Sequence, residues 1–149
     1  MTIKIPAPFS GGLLLSYKCT AQCRHCMYAC GPRWKAGPCS PPFLRNWHNH
    51  LDNYGNFIPG YCGGITLGDW RELDDLLKTG INLKEYPVLK YLISDDMHGL
   101  LQFALDSGYD ENKDGYYLKC HLCVDIRKYL KTKDDFRELK PDAFYANLD

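Results

Sequence analysis

Three cysteines fall within eight residues, Cys19-Thr-Ala-Gln-Cys23-Arg-His25-Cys26, close behind a short apolar run. No other feature so narrows what this chain can fold around. Thiolates are the soft ligands that iron–sulfur centres require and that zinc also accepts. Three of them on one loop can wrap a small cluster. With three protein ligands, a four-iron cubane keeps one iron open, where a small molecule can coordinate and react. The same residues admit two plainer readings: zinc completed by a fourth ligand such as Cys30 or His25, or buried thiols that hold nothing.

The chain has eight cysteines in 149 residues, an even number that a secreted disulfide module would also show. The start, Met1 to Phe9, has no apolar core of the kind an export signal needs. No segment approaches the ~18 consecutive apolar residues of a membrane helix. The expectation is therefore a cytoplasmic protein, and in a reducing compartment clustered thiols point to metal more than to disulfides. The 18 basic and 18 acidic side chains cancel, so nothing calls for a nucleic acid or an anionic membrane as partner.

A length of 149 residues suits one ordinary domain or two very small ones. The apolar run Gly12–Tyr17 reads as a buried strand, and a cysteine-rich loop follows to Arg33. Three prolines in residues 38–42 forbid regular structure. They divide a strand–loop unit, residues 1–37, from a larger module, residues 43–149. In that module Phe43–Leu51 and Phe57–Tyr61 read as strands joined by a hairpin turn over Asp52–Asn56. Asp69 and Glu72 make a capping-box-like pair for a helix with Leu73, Leu76 and Leu77 on one face and Gly80 at its end. Further helices are expected from about Tyr86-Pro87, from Asp96 to Ser107, from Cys120 through Leu130, and from Pro141. The fold class this implies is α+β.

A second cysteine group spans the larger module. Cys62 follows the hairpin, and Cys120-His-Leu-Cys123 opens a helix. A helix N-terminus presents N–H groups and a positive dipole end, which favour thiolates and anionic clusters. If the intervening helices fold back, these three sulfurs meet at one metal. Zinc with His121 or His98 as fourth ligand competes with a cluster here. A thioredoxin-like pair is less favoured, because no strand leads directly into the helix. His48 and His50 share a strand face and fit a half-exposed surface better than a metal site.

The C-x-x-x-C-x-x-C loop behind strand one, with His25 before the third cysteine, resembles the signature of radical S-adenosylmethionine enzymes. The context Leu-Ser-Tyr-Lys-Cys19 and Cys26-Met-Tyr-Ala-Cys30-Gly-Pro-Arg-Trp34 is similar to one branch of that family. The resemblance implies a 4Fe–4S cluster on Cys19, Cys23 and Cys26, with His25 near the adenine of S-adenosyl-L-methionine. The unique iron would bind the methionine moiety, and the reduced cluster would release a 5′-deoxyadenosyl radical. A flavodoxin- or ferredoxin-type protein would supply the electron. Residues from Asp52 through Cys62 to Asp69 look like the hairpin and helix that open the SPASM and twitch extensions of that family. That implies a second 4Fe–4S cluster, or zinc, on Cys62, Cys120 and Cys123. The fourth ligand would be Cys39, a histidine, water or substrate.

The family's core is a partial (β/α)6 barrel, and six βα units of at least ~30 residues each exceed this chain. The resemblance covers residues up to about Trp34 and again from about Trp47, with only the proline-rich junction between. Gly63-Gly64-Ile65 lies in the auxiliary region and lacks the acid of the family's Gly-Gly-Glu motif. Three explanations fit: a reduced family member, an internally deleted form, or several copies assembling into a homo-oligomer that supplies the missing walls. No substrate follows from the residues.

Overall fold

The structure is a computed structural model that describes residues 2–3, 11–14, 49–59 and 62–148. Its strands are β1 (Thr2–Ile3), β2 (Gly11–Leu14), β3 (Asn49–Asp52), β4 (Asn56–Pro59), β5 (Gly68–Asp69) and β6 (Ile81–Asn82). Its helices are α1 (Leu73–Thr79), α2 (Leu89–Ile93), α3 (Met97–Asp106), α4 (Lys119–Lys133) and α5 (Asp142–Tyr145). Mixed helix and strand make it α+β. Cys19, Cys23, His25, Cys26, Cys30, Cys39, the proline-rich junction and His48 lie outside the described residues.

The expected hairpin forms, and one side chain builds its turn. Buried Asp52 accepts from the backbone N–H of Tyr54 and of Asn56, each at 2.9 Å, and from the Asn56 side-chain amide. Gly55 supplies the left-handed backbone, at φ +90°, that lets the chain reverse. The sheet order is β2-β3-β4-β5. β2 runs parallel to β3, and the other two pairings are antiparallel. β1 pairs with β6 in a separate antiparallel ribbon. Residues of the predicted strand–loop unit are thus hydrogen-bonded to both ends of the larger module's first half.

The helices pack on one continuous apolar core that includes Phe57, Ile65, Leu89, Leu100, Ile126 and Phe144. Asp69 opens its helix as expected, but through a short 3-10 turn, Trp70–Glu72, in which its carboxylate accepts from Arg71 N–H at 2.8 Å. Glu72 makes no capping bond, so the capping-box pair is not formed. Arg71 wins because its N–H and guanidinium both reach Asp69. Gly80 ends α1 at φ +73°. α3 starts on Asp96, whose carboxylate accepts from Gly99 N–H at 2.8 Å, as an N-cap should.

The helix expected from Tyr86-Pro87 begins two residues late, at Leu89. The reason comes from elsewhere in the chain. Fully buried Glu138 accepts from Val88 N–H at 2.8 Å and Leu89 N–H at 3.4 Å, and so caps α2 from outside. Among the described residues no helix is long and apolar enough to cross a membrane.

Candidate functional site

α4 holds two of the three described cysteines. Its buried stripe is Cys123, Ile126, Arg127 and Leu130, the i, i+3, i+4, i+7 pattern of a core-facing helix. Cys120 lies on the first turn, exposed, and Cys123 follows three residues on, on the same side. One member of the stripe is a charge: Arg127 is 2% exposed.

Arg127 reaches across to the loop that begins at Cys62. Its Nη1 donates to the Gly63 carbonyl at 2.8 Å and to Tyr145 Oη at 3.3 Å, and its Nε donates to the Cys123 carbonyl at 3.3 Å. Tyr145, on α5, donates its hydroxyl to the Gly64 carbonyl. Gly64 sits at φ +78° against the Phe144 ring, so close that no side chain fits there. These bonds staple the 62–65 loop onto α4 and α5. Thr66 N–H, donating to the Glu138 carbonyl at 2.8 Å, fixes the next residue.

The staple ties the loop that begins at Cys62 to the helix that carries Cys120 and Cys123. Burial pushes the Cys62 thiol up, Arg127 and Lys119 pull it down, and Cys123 and Cys120 push it further up; the balance is upward. For Arg127, burial works against the charge, but the facing Tyr145 oxygen and the Cys123 and Cys62 sulfurs outweigh it and hold the guanidinium charged. Among the described residues, which include Cys62, Cys120 and Cys123, no three His, Cys, Asp or Glu side chains stand close enough together to hold a metal ion as placed.

His121 points its ring to a different group. It stacks on Tyr117 at 6.0 Å and meets Tyr116 edge-on at 5.2 Å. Beside it, Tyr109 and Tyr116 donate to the same Asp125 oxygen at 2.6 and 3.0 Å. Burial, and then the bond to Asp125, push the Tyr109 hydroxyl far up, so it stays a donor. His98 lies exposed on the first turn of α3. His50 sits in β3 opposite Ile58, half-buried.

Sequence reading missed Arg127 and Tyr145. A signal for Arg127 existed, since it interrupts the apolar stripe four residues after Cys123. Tyr145 gives none, because its role depends on where α5 lands. Compared with known proteins, the chain matches no protein-family profile, no curated protein and no solved structure.

Proposed function

We propose that this chain is an iron–sulfur protein of the radical S-adenosylmethionine type, built without most of the usual barrel. Cys19, Cys23 and Cys26 hold the reactive 4Fe–4S cluster, and Cys62, Cys120 and Cys123 hold an auxiliary cluster or zinc. The support for the first cluster is the cysteine spacing with His25. The observation behind the second is the Arg127 bond to the Gly63 carbonyl, which ties the loop that begins at Cys62 to α4, the helix that carries Cys120 and Cys123. The clusters would supply electron transfer and, with S-adenosyl-L-methionine and a flavodoxin- or ferredoxin-type reductant, radical generation. The protein's part is to hold, shield and tune them.

The second reading is a non-catalytic iron–sulfur or zinc protein, favoured by the mostly antiparallel sheet of the described residues. Oxygen-free purification and iron, sulfide and zinc analysis separate the two. The expected product is brown, and it loses iron in stages when Cys19, Cys23 and Cys26, and then Cys62, Cys120 and Cys123, become alanine. A colourless zinc protein sinks the first reading. A brown protein that never yields 5′-deoxyadenosine supports the second.

A further inference from the structure

We propose that the groove along α2 is a docking site for a second copy of this chain, and that the loop between α3 and α4 of that copy fills it. The proposal does not depend on the metal reading.

The groove has a volume of about 510 Å3. Leu83, Pro87, Tyr91 and Ile93 give it an apolar lining, and Ile93 is left exposed. Exposed Lys84 and Lys90 line it too. Among the described residues neither lysine pairs with a carboxylate; Lys90 rests over the Tyr91 ring, its Nζ 4.5 Å from the centroid. The acids around them are already held. Glu85 pairs with Arg137, Asp95 pairs with Lys119, and Asp96, which also lines the groove, accepts from Gly99 N–H. An open groove with an apolar lining and two unmatched cations suits an apolar segment that carries acids.

Residues 1–48 contain no Asp or Glu, so that part of the chain has no such segment. The loop over residues 110–118 has one. Asp110, Glu111 and Asp114 against Lys113 give it a net charge of three acids less one base. The three acids are exposed, and among the described residues none is in an ion pair. Tyr117 and Leu118 follow them, 80% and 63% exposed, the most exposed large apolar side chains described. As the chain is folded, then, this loop does not fill its own groove. It ends beside it, because Lys119 pairs with Asp95, the residue between Ser94 and Asp96 of the lining. A cationic groove and an acidic, apolar loop therefore sit side by side. Two copies related by a two-fold axis can each lay the loop in the other's groove, the self-complementary contact of an isologous dimer. Lysines then meet carboxylates twice, and Tyr117 supplies the aromatic anchor that such contacts favour.

The test is sedimentation of the full chain, kept without oxygen and with a reductant so that no disulfide links the copies. Circular dichroism follows the fold. The parent should be a dimer at low salt, and its dissociation constant should rise about tenfold or more between about 0.05 and 0.5 M NaCl as the charge pairs are screened. Lys84→Glu with Lys90→Glu, and separately Asp110→Lys with Glu111→Lys and Asp114→Lys, should each be monomeric alone, because each sets like charges face to face. Mixed in equal amounts they should pair, since every loop then meets a groove of opposite charge. A parent that stays monomeric at about 100 μM overturns the proposal. So does a dimer that both sets of substitutions leave intact, which uses another face, or two folded variants that stay monomeric when mixed. Should either set not fold, Tyr117→Ser with Leu118→Ser decides: loss of the dimer with the fold retained supports the proposal, and a dimer as tight as the parent's overturns it.

Discussion

A methyl group at Gly64 has nowhere to go. An added Cβ would lie 2.4 Å from the Phe144 ring, and the residue's φ of +78° already disfavours any side chain. Gly64→Ala should cost about 1–3 kcal/mol from the backbone alone, more with the clash, seen as a lower urea midpoint. The same variant should loosen the Cys62 loop. Glu138 gives a second test at this scale. Burial raises its carboxyl above the usual range, and the Val88 and Leu89 N–H groups only partly offset that. A raised acid favours the fold while protonated, so its contribution is full at low pH and is lost as pH rises through the raised value. Urea midpoints of the parent and Glu138→Gln should therefore diverge in favour of Gln as pH rises from the ordinary glutamate range through the raised value, and then run parallel. A difference independent of pH would refute this assignment.

Among the elements, α3 and α4 were the most legible, because their signals are local. Asp96 caps α3 with a bond three residues long, and the apolar rows of both helices follow the helical repeat. Asp96→Ala should lower stability by about 1 kcal/mol, a shift of several degrees in melting temperature for a domain this size. An unchanged melting temperature would mean that α3 is held by packing alone. α2 was misplaced for the opposite reason: its cap arrives from a residue 50 positions later, and no window of sequence around Pro87 contains it. The hairpin was legible because Asp52, Gly55 and Asn56 do their work within five residues.

For the whole molecule, the proposed radical chemistry turns on whether anything walls in the cofactor. Among the described residues only β2 and β3 pair in parallel, and the rest of the sheet is antiparallel, unlike a βα barrel. A cofactor held only through an open iron would be poorly positioned, and positioning is worth roughly 7–11 kcal/mol of a barrier at best. Under strong reductant the chain alone should form 5′-deoxyadenosine slowly or not at all, while its iron content is full. Rapid turnover by a monomer would show that the missing barrel is not needed; rapid turnover only by an oligomer would locate the wall in a neighbouring copy. Sequence by itself determined the hairpin turn, the Gly80 end of α1, the place of α3 and which cysteines to watch, because turn chemistry and helical repeats act over a few residues. Only the tertiary structure decided that buried Arg127 ties the loop behind Cys62 to α4. That contact joins Gly63 to a residue 64 positions away, and it exists only after the sheet, α4 and α5 close on one core, which no local pattern of residues encodes.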